Sequence, residues 1–93
     1  MKYRKKPVEV EAFRLSKDVD MIAPDWFTQA VIDEKVFIDR SINDGKVHIY
    51  GCTVINGNER YKAKIGDYVI REQNGKICTC KSKEFKKLYE KAS

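Results

Sequence analysis

The stretch that decides the fold is residues 36–81, which read VFIDRSINDGKVHIYGCTVINGNERYKAKIGDYVIREQNGKICTCK. Short runs rich in β-branched and aromatic residues alternate in it with Asn, Asp and Gly. Asn-Gly and Asp-Gly pairs between apolar runs are strong hairpin signals, because the central residues of such turns need positive φ. Four turns therefore join five strands in an antiparallel β-meander. We predict these strands at residues 36–39, 47–55, 60–65, 68–72 and 76–81.

A further strand is predicted before this stretch. Residues 8–12 alternate apolar and acidic side chains, which is typical of a strand with Val8, Val10 and Ala12 facing inward. Added to the meander, this strand gives a sheet of about six strands. We expect that sheet to be either open or curled into a partly closed barrel.

Two helices complete an α+β fold, one after the first strand and one at the C terminus. Residues 24–34 open with a proline and an acidic residue, a common helix start, and Trp26 and Phe27 begin the apolar face. Ser82 is a suitable N-cap for the C-terminal helix, whose apolar residues recur at helical spacing. We expect this stripe to pack on the sheet; it consists of Phe85, Leu88, Tyr89 and Ala92.

Composition indicates one small domain with basic ends. The 93 residues have room for one hydrophobic core, so we interpret residues 1–93 as a single domain. The net charge of +5 is concentrated at the termini, since residues 1–6 carry four cations and residues 81–93 carry five lysines against two glutamates. A core this small gains stability from association, which makes a homo-oligomer plausible.

The sequence also favours a cytoplasmic location in the host cell. The basic start runs directly into charged residues without the apolar segment of a signal peptide. No apolar run approaches the length of a membrane span, so we predict no membrane partner. The three cysteines are odd in number and do not form the framework of a secreted disulfide-rich domain.

Motifs near both ends of the chain carry a family resemblance. The N-terminal motifs are residues 2–8 (KYRKKPV), 11–13 (EAF) and 24–27 (PDWF). The later motifs are residues 62–64 (KAK), 66–70 (GDYVI), 74–75 (NG) and 80–81 (CK), followed by Phe85 and residues 89–90 (YE). Together they resemble a family of small uncharacterised proteins of bacteriophages and prophages, mainly of Gram-positive bacteria.

The chain departs from that family pattern at two places. Ile65 stands where proline usually precedes the Gly-Asp turn, and residues 82–84 replace a more usual proline-aspartate pair. Residues 36–59 match least. The resemblance implies a phage or prophage origin and brings no established activity, so no functional residue is carried over from the family.

The cysteines and the single histidine raise the question of a zinc site. Cys78 and Cys80 share a strand face, as do His48 and Cys52, and these four residue types suit tetrahedral zinc. A Cys-x-Cys strand, however, lacks the loop of a zinc knuckle, so buried thiols are the favoured interpretation and we predict no metal. The sequence also shows no motif that places a nucleophile beside a base and no glycine-rich phosphate loop. We therefore predict that the protein is not an enzyme and binds no cofactor.

The most informative feature for function is the alternation in residues 60–65. Arg60, Lys62 and Lys64 are expected on the face opposite the core, at intervals of about 6.7 Å, which is close to the phosphate spacing along a nucleic-acid strand. Arg71 on the next strand could join them. Such a row can bind the phosphates of a nucleotide or a nucleic acid. The alternative is a solvated sheet face whose lysines guard against edge pairing.

Two other places could contribute to the same binding. The first is a group near the N terminus, in which one aromatic ring among three cations could stack a base and hold a phosphate. The simpler alternative for this group is a flexible, soluble N terminus. Either Trp26 or Phe27 is expected in the core, and an exposed Trp26 would mark a partner surface or a base-stacking surface. The N-terminal group consists of Tyr3, Arg4, Lys5 and Lys6.

These observations favour a phage- or prophage-encoded binding protein that is not an enzyme and acts on a host component. The expected partner is an anionic ligand, either a nucleotide signal that the protein sequesters or a nucleic acid bound through the basic sheet face. The alternative is a protein–protein adaptor or inhibitor of a host enzyme, with no small-molecule ligand. Salt separates these alternatives, because phosphate binding weakens steeply as salt rises.

Overall fold

A computed structural model describes residues 10–89 of the chain. The α+β class is confirmed, with six antiparallel strands, short helices after the first strand and a helix near the C terminus. Among the described residues, no helix is long and apolar enough to cross a membrane. The elements are β1 (Glu11–Arg14), α1 (Val19–Ile22), α2 (Asp25–Ile32), β2 (Val36–Asn43), β3 (Lys46–Asn56), β4 (Glu59–Lys64), β5 (Tyr68–Arg71), β6 (Ile77–Cys80) and α3 (Ser82–Leu88).

The strands form two three-stranded sheets instead of one meander or a closed barrel. Sheet A has the order β1-β5-β6, and sheet B has the order β2-β3-β4. The chain leaves sheet B after β4 because the next turn is bonded to the end of β1. There, the Leu15 amide donates to the Asp67 carbonyl at 2.8 Å, and the Gly66 amide donates to the Leu15 carbonyl at 2.9 Å. The prediction of one continuous sheet is therefore wrong between β4 and β5.

The core lies between the inner faces of the two sheets and α2. In sheet B, Val36 lies opposite Val54, and both side chains are fully buried. In sheet A, Val69 and Ile77 face the same core, and Phe27 of α2 is buried against them within one cluster. Burial of these apolar side chains is the main favourable contribution to folding.

The first strand differs from the sequence prediction in position and in facing. β1 spans Glu11–Arg14, Ala12 is exposed, and Phe13 is the residue packed against the core. The ring of Phe13 meets that of Phe27 edge-on, with centroids 4.9 Å apart. A phenylalanine buries far more apolar area than an alanine, so the strand takes the register that turns Phe13 inward.

Helix α2 was predicted at residues 24–34 and spans Asp25–Ile32 with Pro24 as its N-cap. It ends in a Schellman motif, in which the Lys35 amide donates to the Ala30 carbonyl at 2.9 Å. The residue at the turn is Glu34, with φ of +61°. The short helix α1 was not predicted.

Three of the four predicted hairpin turns are confirmed, and the fourth, at Gly66 and Asp67, joins strands of different sheets. Asp44 and Gly45 both have positive φ, as a two-residue turn between β2 and β3 requires. β2 nevertheless continues to Asn43, well beyond its predicted end at residue 39, because β3 offers partners along its whole length. A bulge beside Gly51 interrupts that pairing between Asp39 and Arg40.

Helix α3 covers the outer face of sheet A with only part of the predicted stripe. Lys81, rather than Ser82, is its N-cap. The Phe85 ring stacks on Tyr68 with centroids 3.9 Å apart, and Tyr89 stacks on Phe85. Leu88 is 71% exposed, so its predicted packing is wrong. Ala92, like Val8 in the predicted first strand, lies outside the described residues.

Replacing Glu34 with glycine should stabilise the protein by about 1 kcal/mol, because a side chain at positive φ is strained and glycine is not. Urea unfolding followed by circular dichroism measures the shift in midpoint. Glu34→Ala, which keeps the strain, serves as the control and should leave the midpoint nearly unchanged. A lower midpoint for Glu34→Gly would contradict this assignment of strain.

Replacing Gly51 with alanine should destabilise the fold by about 1–3 kcal/mol, as overpacking of a filled site does. A methyl group there would point directly into the backbone carbonyl oxygen of Ala63 on β4, and backbone cannot move aside as a flexible side chain can. Thermal unfolding of the variant tests this. An unchanged melting temperature would show that the bulge shifts freely.

Candidate anion-binding face of sheet B

The outer face of sheet B, turned away from the core, presents three rows of side chains across its three strands. The register places Phe37 opposite Thr53, and Thr53 opposite Lys62. Lys35 extends the ladder by one residue, since its carbonyl accepts the Ile55 amide at 2.8 Å. The rows are Lys35–Ile55–Arg60, Phe37–Thr53–Lys62 and Asp39–Gly51–Lys64, and we call these nine residues the sheet B face.

The structure brings together the three predicted cations of β4. Arg60, Lys62 and Lys64 are exposed on the sheet B face, while Ala63 between them is buried in the core. Ile65, the last residue of the predicted strand, instead follows the end of β4 and is 36% exposed. The strand ends before it because the Asp67 side chain accepts the Lys64 amide at 3.0 Å and closes the turn.

The charge on the sheet B face is unevenly distributed. Three cations line β4, and Lys35 adds a fourth where the chain enters β2. The single carboxylate, that of Asp39, lies on β2 and accepts a hydrogen bond from the Thr53 hydroxyl at 3.0 Å. Among residues 10–89, the two ion pairs are Arg40–Asp20 and Arg71–Glu11, and neither involves this face. The β4 side is therefore strongly positive and the β2 side is not.

Two members of the face were missed in the sequence. Phe37 is 45% exposed at the middle row, and Lys35 lies between the end of α2 and the start of β2. The signal for Phe37 was present, because inward Val36 and Ile38 require the residue between them to face outward. Lys35 was missed because it fell in the gap between a predicted helix and a predicted strand.

Other predicted site residues lie elsewhere. β5 pairs with β1 and β6, so the expectation that Arg71 stands beside β4 is wrong; its Nη1 atom lies 3.6 Å from Oε2 of Glu11. Trp26 is partly buried against the core, with its ring 5.7 Å from that of Phe13, and is not part of the sheet B face. The N-terminal candidates Tyr3, Arg4, Lys5 and Lys6 lie outside the described residues.

The cysteines and the histidine are not brought together. Cys52 is buried in the core between the sheets. Cys78 and Cys80 lie on the outer face of sheet A, beside Ile70 and Tyr68. His48 is exposed near the tip of the β2–β3 hairpin. Within residues 10–89, no group of three or more His, Cys, Asp and Glu side chains is arranged to hold a metal ion. Burial, and then the nearby carboxylates of Asp39 and Asp67, raises the pKa of the Cys52 thiol to about 12.

This shift makes the stability of the protein sensitive to alkaline pH. The unfolded thiol ionises near its usual value of 9.0, whereas the folded thiol keeps its proton up to about 12. The folded state binds more protons in this window, so the free energy of unfolding should fall as pH rises, by up to about 1.4 kcal/mol per pH unit from this group. Cys52→Ala should show a shallower decline between pH 9 and 11 in urea unfolding. Parallel declines would rule out Cys52 as the cause.

Comparison with known proteins leaves the chain without an assigned relative. No protein-family model, no curated protein and no solved structure matches it.

Proposed function

We propose that this chain is a phage- or prophage-encoded binding protein that is not an enzyme and that holds a phosphate-bearing ligand on the sheet B face. The ligand is a nucleotide signal of the host or a nucleic acid, and the place of action is the host cytoplasm. The observation that carries the proposal is the row of Arg60, Lys62 and Lys64 along β4 on an exposed sheet face, with Lys35 across the sheet from Arg60.

The spacing of these cations suits a chain of phosphates. Alternate residues of one strand lie about 6.7 Å apart, and neighbouring strands about 4.8 Å apart. Arg60 offers a planar set of donors that can bind one phosphate through two hydrogen bonds, while the lysines act as point charges. Each exposed cation contributes little alone, so affinity has to come from several phosphates bound at once.

The origin in a phage or prophage is supported by the sequence resemblance alone. Its motifs lie at residues 2–8 and 24–27 near the start and at residues 66–70 near the end. A protein that a phage or prophage encodes is made inside a bacterium, where nucleotide signals and nucleic acids are both present. The resemblance and the cationic face together support a host component as the target.

A second candidate function is that of a protein–protein adaptor or inhibitor of a host enzyme. Ile42 lies directly opposite Val47 near the tip of the β2–β3 hairpin, and the two side chains are 73% and 62% exposed. Met21, on α1, is 87% exposed. An adjacent apolar pair exposed at a hairpin tip favours contact with a partner protein or with a second copy of the chain.

The triple variant Arg60→Ala/Lys62→Ala/Lys64→Ala tests the proposal. Fluorescence anisotropy would measure its affinity, and that of the wild type, for a labelled 20-nucleotide single-stranded DNA and a labelled cyclic dinucleotide over a range of salt. If three phosphates are neutralised, the slope of log K against log salt for the DNA should fall by about 2 units in the variant. Its affinity for whichever probe binds should drop at least about tenfold.

The matched control is Lys83→Ala/Lys86→Ala/Lys87→Ala, which removes the same charge from α3. It should bind like the wild type if the sheet B face is the site. Equal losses in both variants would show that only net charge matters. A wild type that binds neither probe, with a native circular dichroism spectrum, would defeat the proposal and put the adaptor function first.

A further inference from the structure

An aromatic ring lies beside the cations of the sheet B face. Phe37 is 45% exposed in the middle row, with Thr53 next to it and Lys62 beyond. With strands about 4.8 Å apart, Phe37 and Lys62 are separated across the sheet by about 10 Å. A large apolar ring held partly in water is costly, and aromatic rings next to cationic grooves are the platforms on which unpaired bases stack.

The two sides of the face differ in a way that orients a ligand. Three cations lie along β4, whereas the β2 side carries Lys35, Phe37 and the carboxylate of Asp39 and so has no net charge. The Asp39 carboxylate disfavours phosphates beside Phe37, and the hydrogen bond that it accepts from the Thr53 hydroxyl holds it there. A sugar-phosphate backbone is therefore favoured along β4, with its bases lying over β3 toward Phe37.

The shape of the face favours a polymer over a single nucleotide. Sites for small ligands are usually concave and enclose most of the ligand. One cavity, of about 270 Å³, is lined by Lys35 and Ile55 at one edge of the face, but by neither Phe37 nor any of the β4 cations. An open face can instead bind a strand by summing several weak phosphate and stacking contacts.

The geometry points to single-stranded nucleic acid as the ligand of the sheet B face, with Phe37 as the ring on which a base stacks and the β4 cations on the phosphates. This inference rests on the proposed function and narrows its ligand. In a double helix the base faces are already stacked, so a duplex can offer its phosphates to β4 but no base to Phe37.

The test compares variants at position 37 by fluorescence anisotropy with three labelled probes: a 20-nucleotide oligothymidylate, an abasic 20-mer and a 20-base-pair duplex. Phe37→Ala should weaken oligothymidylate binding by about 5- to 150-fold, the range expected for loss of one stacked base. Its affinity for the abasic strand should equal that of the wild type. Phe37→Trp should bind oligothymidylate at least as tightly as the wild type.

Two further variants keep the result interpretable. Phe37→Leu retains the apolar bulk without the ring. It should therefore bind oligothymidylate more weakly than the wild type and the abasic strand equally well, even if Phe37→Ala does not fold. Ile42→Ala, on the same strand but outside the face, should bind like the wild type. Salt is held constant across all measurements because the phosphate contribution varies with it.

The outcomes separate this inference from the proposed function. If the β4 triple variant loses binding but Phe37→Ala and Phe37→Leu do not, the face binds phosphates without stacking and the inference is overturned. Equal wild-type affinity for duplex and single strand would overturn it as well. If neither the triple variant nor the position 37 variants weaken binding, both the inference and the proposed function fail.

Discussion

The attachment of the β4–β5 turn to the end of β1 is the constraint on which the rest of the structure depends. Two backbone hydrogen bonds, between Leu15 and Asp67 and between Gly66 and Leu15, direct the chain out of sheet B and into sheet A. If β5 had paired with β4 instead, sheet A would not lie over the apolar face of sheet B, and α2 alone would cover it. The two-sheet arrangement buries that face and leaves the opposite, cationic face of sheet B open.

Features that depend on residues close together in the chain, such as turns and the faces of helices, could be predicted from the sequence. The turn at Asp44 and Gly45 follows from the backbone conformation that those residues tolerate. The sequence placed either Trp26 or Phe27 of α2 in the core, and Phe27 is the one that is fully buried. Sheet order could not be predicted, because it depends on contacts between distant segments such as β1 and β5. The facing of β1 was wrong for a related reason: the strict alternation of residues 8–12 pointed to Ala12, and Phe13 prevailed through its larger buried area.

The candidate site was predictable where it depends on one strand and unpredictable where it depends on several. The β4 cations follow from alternation alone, and Phe37 could have been found in the same way from inward Val36 and Ile38. Arg71 was misplaced because its strand belongs to the other sheet. The face is backed by Cys52 and Val54, which are fully buried on the other side of β3, so its side chains project from a rigid support.

The division into two sheets also sets an order of assembly. Sheet B is built from three strands that are consecutive in the chain, so both of its hairpins close short loops and can form rapidly. Sheet A pairs β1 with β5, which lies far along the chain from it. Closing this long loop costs more conformational entropy than closing either hairpin of sheet B. During synthesis β1 leaves the ribosome first, but it can pair only after β5 has been synthesised. The cationic face of sheet B can therefore form before β1 pairs with β5 in sheet A.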